Sequence, residues 1–534
     1  MNIKFRNTDL MFKGFAPFWV YSLLLVGLFS CKKFTEISPL SSLAESTAFT
    51  DPAKIELVAN GMYEQAAVGS YAGGGGRGYP FGAASIEQAE MRGEDMVNLA
   101  TFYAITYQST QNATSANNVN HWEQLYALIN QANVLITGVT GAVSSGIITS
   151  DVGNAYEAEG RFIRALSHHE LLIHFCKPYA EGKGGQLGVP YREVAVNSPA
   201  AVNEGLALGR GTVAEDYAKI LEDLDYAEAN LPEKQTNGVA RPTKGAAIAL
   251  KTRIKLHMGD WAGVIAEGTK LGTGVTSGAF SSPIGGYKLE SDPAVPFASF
   301  ANNSESIFSI ANSASSNGGV NGALPAMLGP SDQGARGLVA TSPNLYNASF
   351  WVTGDKRRSE LQVLNTNDGL YYTYKYRDYT TRTDWAPIIR YAEVLLNVAE
   401  AYSRTGNTAQ ALRLLNAVRD RSVPDANKFT TAPANLTLAI LQERRIEFAA
   451  EGRRWPDIHR LALDPNYGLG GGAGIPAKLN PTQISNSSYN VETRPYITPG
   501  RAAIAYSDYR FLWPIPTSEI SSNPTLADQQ NPGY

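Results

Sequence analysis

The stretch WAPIIRYAEVLLNVAEAYSRTGNTAQALRLLNAVRDRSVP, residues 385–424, leaves the chain little choice of local structure. Leu395, Ala399 and Tyr402 recur at helical spacing, RTGN interrupts the run, and Ala411, Leu415 and Val418 resume it. Two amphipathic helices joined by so short a turn must fold back on each other and bury their apolar stripes together. The small side chains of Ala399 and Ala411 let the paired backbones approach closely.

The intervals from Ala399 to Tyr402, Ala411 and Leu415 are 3, 9 and 4 residues, the register of a tetratricopeptide helical hairpin. Residues 244–271 repeat the idea more loosely, with MGDW in the turn. Helical signals begin at Asp51, which caps a helix with Pro52 at its first position and an end near Ala67. Trp122, Leu125, Ile129, Ala132 and Ile136 form one stripe over 121–136, and Ala158, Phe162, Ala165, His169, Leu172 and Cys176 form another. Further helices fit 212–230, 244–258 and 262–271. Residues 272–345 are different: rich in Gly, Ser, Asn and Pro, they show strand-like alternation only in ESIFSI, 305–310. LYYTYKYRDY at 370–379 reads as a strand with Tyr372, Tyr374 and Tyr376 on one face, packed on helices. The expected fold is mainly α: tetratricopeptide-like helical hairpins packed against a loop-rich region with a few short β-strands.

Lys4, Arg6 and Lys13 precede the apolar run GFAPFWVYSLLLVGLFS, whose 17 residues suit a signal peptide better than a membrane span. The run ends in LFSC, which resembles a bacterial lipobox, so residues 1–30 are expected to be removed and Cys31 lipidated. Lipidation would leave Cys176, the only other cysteine, without a disulfide partner. Acyl chains contribute about 0.8 kcal/mol per buried CH₂, enough to anchor the protein without a transmembrane helix. The net charge of −4 argues against nucleic acid as a partner.

Motifs that look catalytic fail on geometry. In HHELLIHF, His169 and His174 are five residues apart and point about 140° away from each other on a helix, so they cannot clamp one zinc. His169 reads as a satisfied core histidine. Glu87, Glu90, Glu94 and Asp95 are the nearest approach to the facing carboxylates of a glycan hydrolase, with Glu87 and Glu94 as the possible pair. Glu443, Glu447 and Glu451 are interleaved with Arg444, Arg445, Arg453 and Arg454 and read as an ion-paired helix face. In SYAGGGGRGYPFG, residues 70–82, Gly73, Gly75 and Gly78 fit G-x-G-x-x-G. That motif needs a strand before it and a helix after it, and a polar helix and a proline stand there instead. The glycines then read as freedom to lift a loop carrying Tyr71, Arg77, Tyr79 and Phe81, aromatics around a cation that suit a sugar ring. Trp351 is a further candidate ligand contact. No catalytic residue, metal ligand or cofactor is expected.

Taken in order along the chain, several segments resemble the SusD/RagB family of outer-membrane lipoproteins. They include CKKFTEISP after the lipobox, LVANGMYEQ, WEQLYALINQAN, EAEGRFIRAL, PTKGAAIALKTRIKLHMGDW, the hairpin at 385–424, ERRIEFAAEGRRWPDIHRL and the closing NPGY. The resemblance implies a signal peptide at 1–30 and a single unit over 31–534, with an N-terminal region at 31–235 and a C-terminal region at 236–534. It also implies a non-catalytic binder of glycans, or sometimes of peptides, held on the outer membrane by a lipid anchor and facing the cell exterior. Its implied partner is a SusC-type TonB-dependent transporter. Lys32 and Lys33 depart from the acidic residues that often follow the cysteine in surface-exposed relatives.

Overall fold

The cap written into the sequence at Asp51 forms as expected: its carboxylate accepts from the Ala53 N–H at 2.7 Å, and Pro52 opens α1 (Pro52–Ala67). The structure, a computed structural model, describes residues 45–69, 77–468 and 474–534. The proposed signal peptide and Cys31 lie outside the described residues. α2 (Ala83–Met91) follows, and then the two longest helices, α3 (Ala116–Ser144) and α4 (Ser150–Phe175), pack along each other. α5 (Val213–Asn230) starts with a capping box, in which Thr212 Oγ1 accepts from Glu215 N–H while the Glu215 carboxylate accepts from Thr212 N–H. It packs on α4 and on α6 (Lys244–Met258), and α7 (Trp261–Lys270) folds back along α6. The signature hairpin is α8 (Tyr391–Arg404) and α9 (Thr408–Arg419), with Asn407 capping α9. α10 (Leu436–Glu447) packs on both, and α11 (Arg454–Arg460) packs against α2. Ala399 and Ala411 are fully buried where the hairpin closes. Buried apolar side chains from Ile55 to Ile515 form one continuous core.

Among the described residues the strands pair only as two-stranded antiparallel ribbons. β1 (Met96–Asn98) pairs with β3 (Val339–Thr341), β2 (Ser306–Ile310) with β6 (Ala386–Arg390), and β4 (Gln362–Leu364) with β5 (Tyr371–Thr373). The strand expected over 370–379 therefore stops at Thr373. Just beyond it Lys375 is drawn into the core, where its ammonium meets Glu451 at 2.6 Å and the Glu447 carbonyl at 2.8 Å. Tyr372 and Tyr376 are buried and Tyr374 is half-buried, but only Tyr376 joins the main core, while Tyr372 packs with Ala340 and Leu370 instead of on the helices.

The acidic row at Glu443, Glu447 and Glu451 is not an exposed helix face. All three carboxylates are buried, and Glu451 lies beyond the end of α10. Their cations come mostly from elsewhere: Arg357 and Arg419 on Glu443, Arg357, Arg390 and Arg421 on Glu447, and Lys375 and Arg390 on Glu451. Glu305 and Asp355 complete the set. Arg357, Lys375, Arg390, Arg419 and Arg421 thus face Glu305, Asp355, Glu443, Glu447 and Glu451, a neutral ionic knot. It ties the strands and loops between 305 and 390 to α9 and α10. The interleaved arginines point elsewhere: Arg444 pairs with Asp457, and Arg445 with Glu94 and Asp95.

Candidate functional site

α1 ends just before the glycine-rich segment, whose residues 70–76, Tyr71 among them, lie outside the described residues. The two ends of that segment meet, because Gly78 N–H donates to Val68 O at 3.2 Å and Phe81 N–H to Ala66 O at 3.0 Å. Both ends require glycine. Gly69 (φ +57°) and Gly78 (φ +73°) are left-handed, and an added Cβ would lie 2.1 Å from Tyr79 O or 2.4 Å from Gly322 O.

This closed base turns the expected ligand aromatics inward. Tyr79 is 0% exposed, its hydroxyl accepting from Gln88 at 3.0 Å and donating to Asn117 O at 3.4 Å. Phe81 is buried beside it. Trp351, 1% exposed, is packed between the Tyr346 ring and the Arg358 guanidinium, the latter 4.6 Å from its ring centre. None of these three faces is open to a ligand in this structure. Burying such a side chain is worth about 1.5–3 kcal/mol, and that gain decides the competition between core and surface roles.

Arg77 stays at the surface end of the turn, half-buried, with its guanidinium 5.3 Å above the ring of Phe102. Phe102, which the sequence reading passed over, is half-buried and set edge-on to Tyr103. The β1–β3 ribbon places it: pairing continues from Asn98–Val339 to a bond from Leu99 N–H to Leu338 O, so residues 99–102 and 336–338 leave the same ribbon end. Arg336, exposed there, donates to Asn321 Oδ1 at 2.9 Å. The turn carrying Asn321 rests on the glycine loop, since a Cβ on Gly322 would lie 2.4 Å from Arg77 C. An aromatic ring, two guanidiniums and an amide thus share one face around the glycine-rich segment. That face has the chemistry to stack on a sugar ring and hydrogen-bond its hydroxyls. A signal for Phe102 existed in the sequence: TFY directly follows MVNLA, a strand running outward from the acidic segment.

The possible hydrolytic pair does not form a cleft. Glu87 is 0% exposed, and burial holds its carboxyl well above the ordinary range. Burial also raises Glu94, but Arg454 and Arg445 beside it outweigh this and bring it down to about 2. His169 is in the core as expected, edge-on to His257 at 4.7 Å, yet neither of its ring nitrogens has a hydrogen-bond partner. Cys176 is buried as a free thiol, and burial pushes it up to about 12.

Among the described residues, one trio with metal-ligating chemistry converges: His121 from α3 with Glu170 and His174 from α4, their donor atoms within 4.8 Å of one another. Two guanidiniums already stand over it. Arg92 donates to His174 Nδ1 at 3.3 Å, and Arg453 lies 4.0 Å from Glu170. Their positive charge opposes a cation at this position.

Residues 33–256 match the family described as starch-binding associating with outer membrane, and residues 353–534 match the SusD family. The chain belongs to the SusD/RagB family. SusD-like protein P2 of Formosa agariphila is 24% identical over 570 residues, spanning 96% of this chain and 99% of the relative. A crystal structure of a SusD superfamily protein from Bacteroides fragilis is 25% identical with a TM-score of 0.71, covering 90% of this chain and 99% of that one. A laminarin-binding SusD-like protein has the same fold at 21% identity and a TM-score of 0.64, covering 91% and 100%. The helical hairpins and short ribbons described above are those of the SusD-like fold. The family is one of glycan-binding proteins associated with the outer membrane.

Proposed function

We propose that this SusD-like protein is a non-catalytic glycan-binding lipoprotein, anchored through Cys31 and facing the cell exterior. It captures oligo- or polysaccharide for a SusC-type TonB-dependent transporter. The observation that carries the reading is the face around the glycine-rich segment, where Phe102, Arg77, Arg336 and Asn321 combine a stacking ring with placed polar groups. Laminarin binding by a protein of the same fold supports it. So does the setting of the carboxylates, with Glu87 sealed in the core and Glu94 held by two arginines.

Native gels containing laminarin, starch, mannan, xylan, galactan or inulin test the reading on the mature protein. At least one polymer is expected to retard migration without being shortened. Phe102→Ala is expected to weaken that retention about three- to tenfold, the loss of one stacking ring of about 0.5–1.5 kcal/mol. Release of reducing ends, or free migration in every gel, would overturn the proposal.

A further inference from the structure

The opposite end of the β1–β3 ribbon opens into a cavity of about 360 Å³, whose lining includes Glu94, Ser342, Asn344, Phe350, Arg445 and Tyr496. Glu94 lies just before β1 and Ser342 just after β3, and Ser342 N–H donates to Asp95 O at 2.9 Å. The cavity therefore sits at the ribbon end away from Phe102 and Arg336.

Tyr496 is the most exposed large apolar side chain among the described residues, at 73%. Its backbone is nonetheless fixed. The Asn344 amide donates to Ile497 O at 2.8 Å and accepts from Ile497 N–H at 2.9 Å, and Asn347 donates to Pro495 O at 3.0 Å. Arg494, in the left-handed region at φ +47°, donates to the carbonyls of Asn347, Ala348 and Trp351. An open ring on a pinned backbone is preorganised for contact, since little freedom remains to be lost on binding. A second observation lies at the edge of the same cavity. Ser342 Oγ is buried, with the residue 1% exposed, and has no hydrogen-bond partner. Buried hydroxyls are nearly always paired, and Ser342 is one of the residues bordering the cavity.

The charges around the cavity balance. Glu94 and Asp95 face Arg445 and Arg454, and the Arg445 guanidinium lies 5.4 Å from the Phe350 ring centre. Among the described residues no cation at the cavity is left over for an anionic ligand, whereas the Glu94 oxygens and the Asn344 amide still offer an acceptor and a donor. We propose that this cavity is a second sugar subsite that takes a neutral hexose unit, with Tyr496 stacking on its C–H face and Ser342, Asn344 and Glu94 bonding its hydroxyls. The inference rests on the glycan-binding reading above. The ribbon and its flanks separate the two faces by roughly 15–20 Å, several sugar units, at about 3.3 Å per strand residue. One polymer reaching both would bind more tightly than a short oligomer reaching one.

Nitration of Tyr496 by tetranitromethane, read by peptide mass spectrometry, tests the subsite on the mature protein with the same neutral polymers, and with alginate and carrageenan. Whichever neutral polymer retards the protein is expected to protect Tyr496. Tyr496→Ala, at an exposed position, is expected to keep the wild-type melting temperature and to weaken retention about three- to tenfold. A polymer whose retention depends on Phe102 but leaves Tyr496 nitration and Tyr496→Ala affinity unchanged would overturn the subsite and leave the glycan-binding reading standing. Protection by the anionic polymers alone would overturn the neutral-sugar assignment. Retention by no polymer at all would overturn both readings.

Discussion

Replacing Arg390 with methionine is expected to cost the folded protein about 3–5 kcal/mol, seen as a fall in the urea midpoint followed by tryptophan fluorescence. Arg390 is 2% exposed and bonds three carboxylates at once: Glu305 at 2.6 Å, Glu447 at 2.9 Å, and Glu451 at 2.7 and 2.9 Å. Methionine fills most of the same volume, so the cavity cost is small and the loss reports the charges. Glu305 and Glu447 keep Arg421, and Glu451 keeps Lys375, but each loses a bond it cannot regain from water in the core. Arg390→Lys is expected to recover little, because one ammonium cannot reproduce a planar fork reaching three acids. The double variant Arg390→Met/Glu451→Gln should regain part of the loss by removing one stranded charge. A loss below about 1 kcal/mol for Arg390→Met would show that the knot adds nothing that packing does not supply.

The same knot sets an acid limit. Burial pushes Glu447 up, but Arg421, Arg390 and Arg357 together hold it well below its ordinary value of 4.5. A carboxylate depressed in the fold contributes stability that is complete above its unfolded value and is lost as pH falls toward the folded one. The melting temperature should therefore begin to fall below about pH 4.5, and the loops between 305 and 390 should lose hydrogen-exchange protection with it.

Local signals were legible in the sequence and long-range ones were not. Asp51 and Pro52 announced α1, and the Ala399, Tyr402 and Ala411 register announced the hairpin, because each rests on residues within one turn or one loop. Glu443, Glu447 and Glu451 read as a helix face paired with the arginines beside them in sequence. The cations they bind lie far off along the chain: Arg357 is 86 residues from Glu443, and Arg390 is 57 from Glu447. The aromatics show the same limit. Tyr79 and Phe81 have the composition of a sugar platform, and only the hydrogen bonds from Gly78 and Phe81 back to the end of α1 put them inside. Conversely Phe102, for all the strand signal before it, and Tyr496, in an unremarkable stretch, become candidate platforms because the β1–β3 ribbon and the side chains of Asn344 and Asn347 place them.

Glu90→Gln is expected to stabilise the protein as the solution becomes alkaline. Glu90 is 0% exposed. One of its oxygens accepts from Gly452 N–H at 2.8 Å, and the other has no partner. Burial, with the charge of Asp95 nearby, raises it from 4.5 to about 8. Between those two values the folded protein keeps a proton that the unfolded chain releases, so stability must fall as pH rises across that window. At about 1.4 kcal/mol per unit, the fall measured from pH 5 is on the order of 3–4 kcal/mol by pH 8. Glutamine keeps the acceptor for Gly452 and has no proton to lose. Urea denaturation of both proteins at pH 5 and pH 8 checks this. The variant should lie within about 1 kcal/mol of the wild type at pH 5, near the start of that window, and exceed it by a few kcal/mol at pH 8. Parallel profiles across the window would mean that Glu90 reaches solvent or a cation when it ionises, and the buried neutral acid would have to be abandoned.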